Sequence, residues 1–204
     1  MKHVMLLLLV ACGGNSPPVR FYQLASEAKP APAHGARVIA IDGFSAEGAY
    51  DDERMIYRST PYRLDYYEYH RWSAAPGNMV GGFFEQALAR TGAFRAVVRE
   101  QTPEATLLVR GRIVALEEID KTKTQWLGRV AVQLSAVDAK TGETVWAQSF
   151  DETEPLPAQT PEGLARAVSV VVTRIADRAA PELARIAEEH GASAPGSARA
   201  MVRR

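Results

Sequence analysis

The chain has 204 residues, enough for one ordinary domain with short tails. Nearly half of the residues (47%) are hydrophobic, so a sizeable core can form, and 24 basic side chains balance 24 acidic ones for a formal net charge of zero. That balance argues against a nucleic-acid partner, whose phosphates call for a basic excess, and a single cysteine, Cys12, leaves no intramolecular disulfide and no cysteine-based zinc site.

The N-terminus reads MKHVMLLLLVAC. Lys2 supplies a positive charge, Val4 to Val10 an apolar run, and Leu9-Val10-Ala11-Cys12 an aliphatic residue and small residues ending in cysteine. The pattern resembles the signal of bacterial lipoproteins, although the eleven residues before Cys12 are few for a signal peptide. The resemblance implies cleavage before Cys12, a thioether from its sulfur to diacylglycerol, and acylation of the new amine. Two or three acyl chains hold a protein on a membrane durably, where one does so only marginally. Gly13 follows Cys12 where an aspartate would retain the protein at the inner membrane, so the expected location is the periplasmic face of the outer membrane. Beyond this segment no run of about 18 apolar residues occurs, so no transmembrane helix is expected in the mature chain.

Gly13 to Pro18 reads as a flexible link, and residues 12–19 as a lipidated tether. Arg20 to Leu24 is a short strand, Ala25 to Gly35 a proline-bearing loop, Ala36 to Ile41 a buried strand, and Asp42 to Asp52 a loop. Arg54–Ser59 and Tyr62–Tyr67 form two strands with a tight turn at Thr60-Pro61. A helix follows from about Pro76 to Arg90, with Asn78 as its cap, Met79, Val80, Phe83, Phe84, Ala87 and Leu88 as its apolar stripe, and Gly92 at its end. Three long strands come next, around Leu107–Ala115, Trp126–Ala136 and Glu143–Asp151, the last two joined by a turn at Asp138–Gly142; they are expected to make an antiparallel meander. Thr160 caps and Pro161 opens a long final helix that Pro181 should kink or interrupt. Residues 191–204 read as a disordered tail. The whole predicts a single α+β domain over residues 20–190, its mixed, mostly antiparallel sheet covered by two helices on one face.

The chemistry-bearing residues are sparse. Of four histidines only His70 lies inside the predicted fold, which makes a nucleophilic triad or a histidine metal site a poor reading, and no phosphate-cradling glycine loop occurs. No cofactor and no metal are expected. Three acidic groups, Asp51-Asp52-Glu53, Glu117-Glu118 with Asp120, and Asp151-Glu152 with Glu154, read as solvated turns and strand ends rather than acid–base pairs. The unusual stretch is Tyr57 to Trp72, which holds five of the seven tyrosines. Two readings stand side by side: rings that pad the sheet under the first helix, and an aromatic recognition patch. Strand alternation would turn Tyr62 and Tyr66 to the core and leave Tyr67 and Tyr69 to a partner, with His70 and Arg71 beside them.

Met55-Ile56-Tyr57-Arg58, Pro61-Tyr62 and Tyr66-Tyr67-Glu68-Tyr69-His70-Arg71-Trp72 resemble the core of the ABC-type transport auxiliary lipoproteins, which accompany Mce-domain lipid transporters. Phe21-Tyr22-Gln23-Leu24 after a short tether is similar too, and the likeness covers roughly Arg20 to Ile186. It implies a non-catalytic component that docks the periplasmic Mce assembly, with the permease and ATPase as separate chains, a membrane reached through the anchor, and self-association left open. A stand-alone lipoprotein that binds envelope components is the alternative; a hydrolase using an acidic pair is a third reading, disfavoured by the missing nucleophile.

Overall fold

The structure is a computed structural model that describes residues 16–26 and 28–192. The expected signal peptide, Cys12, the start of the tether and residues 193–204 lie outside the described residues.

The backbone of the fold is one 18-residue strand. The strands are β1 (Arg20–Tyr22), β2 (Val38–Ala46), β3 (Arg54–Thr60), β4 (Arg63–Trp72), β5 (Ala96–Val98), β6 (Ala105–Thr122), β7 (Gln125–Asp138) and β8 (Thr144–Pro155); the helices are α1 (Pro76–Arg90) and α2 (Pro161–Ala192). Along one edge of β6, β2 pairs in parallel with the first half and β3 with the second. Along its other edge β7 pairs antiparallel over the full length, and β8 continues the meander. β4 pairs antiparallel with β3, β1 parallel with β4, and β5 parallel with β2. The two longest ladders are antiparallel, so the mixed, mostly antiparallel sheet expected from the sequence is what forms.

Alternation shows which face carries the helices. Leu107, Val109, Ile113, Val130, Val132, Leu134 and Ala136 are buried, whereas Arg110, Arg112 and Gln133 between them are exposed. The buried set meets α1 through Val80, Phe84 and Leu88, and α2 through Leu164, Val168, Val171, Ile175, Ala179, Leu183 and Ile186. These are the helical stripes read from spacing. Gly128 allows the closest approach: a Cβ there would lie 2.8 Å from the Ala167 methyl, so α2 rests directly on β7.

Several local expectations change. The cap of α1 is Ala75, with Pro76 at the first helical position, and not Asn78, which lies inside the first turn. Residues 42–46 continue β2 rather than opening a loop, because a register shift at Gly43, whose φ of 142° suits glycine, lets the strand bend and go on pairing. A short 3-10 turn, Gly48–Asp51, follows. The interruption expected at Pro181 does not occur: α2 runs unbroken through it to Ala192, past the point at which a tail was expected to begin. Pro181 lies on the exposed side, where the carbonyl that loses its donor can turn to water. Near its far end His190 Nδ1 lies 2.7 Å from the Asp138 carboxylate, pinning α2 to the end of β7.

Trp72 ends β4 and is 1% exposed in the core, while Tyr62, at the β3–β4 turn, is 97% exposed. Trp72→Ala is expected to cost about 3–5 kcal/mol, a large share of a total stability of roughly 5–15 kcal/mol. Tyr62→Ala should stay within about 0.5 kcal/mol of wild type. Denaturant melts check both; a Trp72→Ala curve superimposed on wild type would contradict this packing.

Candidate functional site

The acidic residues of β6 do not lie in a solvated turn. Glu117 and Glu118 are both fully buried, which overturns that expectation for this pair. Consecutive strand residues point to opposite faces, so the two carboxyl groups enter different surroundings. A buried carboxylate persists only when paired and hydrogen-bonded, and each finds partners on neighbouring strands.

Glu117 is a junction. Tyr50 Oη of the 3-10 turn donates to its Oε2 at 2.7 Å, Arg58 Nε of β3 donates to the same oxygen at 3.0 Å, and an Arg129 NH of β7 donates to Oε1 at 3.0 Å. Arg129 stands directly opposite Glu117 in the β6–β7 ladder. It also forks onto Asp151 of β8 at 2.7 and 2.8 Å. Arg58 donates further to Tyr50 Oη at 2.9 Å and to the carbonyl of Pro61 at 2.6 Å, fixing the β3–β4 turn. Burial, then the bond to Glu117, pushes the Tyr50 phenol up to about 12. The Arg129 guanidinium holds Asp151 below the usual carboxylate range.

Glu118 faces the helical layer and the aromatic stretch. Tyr67 Oη donates to its Oε2 at 3.0 Å. The Tyr67 ring packs against Tyr57 at 5.0 Å and edge-on against His70 at 5.8 Å. His70 Nδ1 in turn lies 2.8 Å from Tyr22 Oη of β1. One chain of contacts thus runs from β1 through β4 to β6. Burial, then repulsion from Arg20, lowers His70 from its ordinary value, so its ring is neutral near pH 7. Glu118 Oε1 and Asp120 Oδ1, two residues apart on β6, are buried with no donor. Burial pushes Glu118 up to about 7, and the neighbouring Asp120 carboxyl adds to the rise. Burial and the charge of Glu118 push the Tyr67 phenol up as well.

The expected partner-binding residues separate. Tyr67 and His70 are turned inward to this network rather than outward. Tyr69 and Arg71 are partly exposed. Tyr62, expected in the core, is at the solvent-facing turn; Tyr66 is partly buried against the core with the Arg54 guanidinium 4.0 Å over its ring. Simple alternation fails for two reasons: Tyr62 lies in the turn before β4, and β4 advances five steps, from Tyr66 to Arg71, against two of β3, from Ile56 to Arg54, which lets Tyr67 and His70 share one face. The other acidic groups serve ion pairs: Asp52 with Arg54 at 2.7 Å, and Glu152 and Glu154 with Arg174 of α2, Glu152 also with Arg178. Among the described residues no group of three or more His, Cys, Asp or Glu is placed to hold a metal ion, and no helix is long and apolar enough to cross a membrane.

What this geometry defines is an α+β domain whose interior ionisable groups bind strands to one another. The chain belongs to the ABC-type transport auxiliary lipoprotein family: the family's profile matches residues 22–180, and the resemblance carried by the aromatic stretch holds. A solved protein from Xanthomonas campestris, of a family described only as a domain of unknown function, superposes with a TM-score of 0.72 at 15% identity, over 85% of this chain and all of that one. A second solved structure, of an uncharacterized protein, gives 0.60 at 9% identity, over 83% of this chain and 98% of that one. At these identities the likeness shows the fold alone. No curated protein matches the sequence.

The raised Glu118 gives a pH test. Between its ordinary value of 4.5 and about 7, the folded chain keeps a proton that the unfolded chain has released. Stability from this group is therefore present at low pH and falls as pH rises through that window. Glu118→Gln, which keeps the shape and cannot ionise, should gain on wild type in melting temperature as pH rises from 5 to 8. Parallel profiles for the two proteins would contradict the shift.

Proposed function

We propose that this chain is the non-catalytic, membrane-anchored component of an Mce-type ABC lipid transport system, lipidated on Cys12 and docking the periplasmic Mce assembly at the outer membrane. The observation that carries the reading is the family match over residues 22–180. The structure supports a docking role in two ways. Its interior ionisable groups, Glu117 above all, are engaged with one another and with arginines rather than gathered at a cleft. Beside the first half of β6 the sheet face away from the helices is open, with a shallow trough of about 480 Å³ bordered by Arg110, Arg112, Gln133, Ser135 and Ser149. A surface of this kind offers hydrogen-bond donors and acceptors for a protein partner. Tyr69 and Arg71, on the bulged part of β4, add an aromatic and an arginine, the residue types that anchor interfaces.

Two outcomes are expected. Cys12→Ala should leave the precursor uncleaved and unlabelled by radioactive palmitate; labelling equal to wild type would refute the anchor. Tagged protein drawn from native membranes should bring Mce, permease and ATPase chains with it. Tyr69→Ala and Arg71→Ala should reduce that recovery while leaving the melting temperature nearly unchanged. Equal recovery from both variants would remove this part of β4 from the interface.

A further inference from the structure

β8 pairs with β7 alone along all 12 of its residues, whereas β1 and β5, also paired on one side only, have 3 residues each. One bond fixes which of its backbone groups are free. The Leu156 N–H, just beyond β8, donates to the Trp126 carbonyl of β7 at 2.9 Å, so the backbone of Leu156 is turned to β7. In an antiparallel ladder, residues that bond to the partner strand alternate with residues whose N–H and C=O point away from it. The β7–β8 register is unbroken from Pro155 back to Trp146. Pro155, Thr153, Asp151, Ser149 and Ala147 therefore turn their backbone groups to the free edge.

The two halves of that edge are built differently. An open strand edge invites pairing with a foreign strand, and proteins blunt it with proline, charge or a covering group. The far half has all three. Pro155 has no N–H to offer, an Arg174 NH of α2 donates to the Thr153 carbonyl at 3.4 Å, and Asp151, Glu152 and Glu154 carry charge. From Thr144 to Phe150 (TVWAQSF) there is no charged residue and no proline. Among the described residues no hydrogen bond reaches the outward backbone groups of Ala147 or Ser149. The part of β4 that β1 leaves unpaired is blunted as well, by Arg63, Asp65 and Glu68.

We propose that Thr144–Phe150 is where an extended segment of the Mce-type partner adds to the sheet as a further strand. In that mode backbone bonds give affinity and alternate side chains give specificity. Charge selects a foreign segment over a second copy. Two β8 strands set antiparallel with their uncharged stretches in register about Ala147 would bring Glu143 of each opposite Asp151 of the other, and like charges directly opposite destabilise a pair. Asp151 is already paired with Arg129, whereas Glu143 is exposed and has no ion pair among the described residues. The segment that fits is uncharged over about seven residues, with Lys or Arg where it passes Glu143. On the helical side it lies beside the half-buried Trp146, where an aromatic or branched side chain packs; on the other it lies beside Ala147 and Ser149, where the trough admits small or polar ones. The inference rests on the docking reading and names the strand that carries it.

The test follows hydrogen exchange residue by residue in the full chain in detergent, alone and with the Mce chain that co-purifies with it. Alone, the outward amides of Ala147 and Ser149 should exchange fast, and those of Gln148 and Phe150, turned to β7, slowly. The Mce chain should slow Ala147 and Ser149 by about tenfold or more. Ala147→Pro removes only an outward N–H, so it should keep the fold and cut recovery of the Mce chain by about tenfold. Ser149→Lys, which leaves the backbone intact, should act in the same direction, while Ala147→Val, a strand former that keeps the N–H, should bind as wild type. Mce binding that leaves Ala147 and Ser149 fast, or that survives both Ala147→Pro and Ser149→Lys, overturns this inference and leaves the docking reading standing. Failure to recover any Mce chain with the wild type removes that reading and this one with it. Slowing that depends on the chain's own concentration would assign the edge to a second copy, and slow exchange of both amides in the free chain at every dilution would mean that the edge is already filled; either result overturns the inference.

Discussion

Burial of the Glu117 carboxylate is the constraint on which the rest of the sheet depends. Its group is fully buried, and a charge taken out of water must be matched by charge and hydrogen bonds. The match comes from Arg58 on β3 and Arg129 on β7, with Tyr50 of the 3-10 turn as a third donor, and Arg129 carries the link on to Asp151 of β8. β3 and β6 share only a short parallel ladder around Tyr57–Arg58. The Glu117 junction, with the Tyr67–Glu118 bond beside it, ties the β3–β4 pair, and with it β1, to the β6–β8 meander. Loss of one partner of such a pair costs about 3–5 kcal/mol because the other charge is left buried.

Much of this fold was legible in the sequence. The stripes Val80-Phe84-Leu88 and Leu164-Val168-Val171-Ile175 have helical spacing, and the alternation through Leu107, Val109 and Ile113 gave the first half of β6. The turn at Asp138–Gly142 could be read because glycine alone readily adopts the positive φ, 76°, found at Gly142. The acidic residues of β6 could not be read by composition, which treats paired glutamates as solvated. One partial signal was available: counting back from the β6–β7 turn brings the two glutamates level with Arg129, but the register shift between Asp120 and Thr122, which makes Glu117 rather than Glu118 its partner, is not written in the sequence. The tyrosines failed for a different reason. The β4 bulge depends on which residues β3 offers as partners, and no pattern within Tyr62–Trp72 encodes it.

The two sides of the aromatic stretch therefore do different work. Tyr67, His70 and Tyr57 are packed inward beside Glu118, so they belong to the padding reading. Tyr69 and Arg71 keep the recognition reading open on the other side. Ionisable groups that might have suggested chemistry hold strands in register.

A double-mutant cycle on Glu117 and Arg129 tests the central claim most directly. Glu117→Gln, Arg129→Met and the double variant would be unfolded in denaturant and their stabilities compared. The account predicts a coupling of about 1–3 kcal/mol, with the double variant less destabilised than the sum of the two single changes. Additive losses, agreeing within about 0.5 kcal/mol, would mean that the two residues do not act as one junction and would contradict the account.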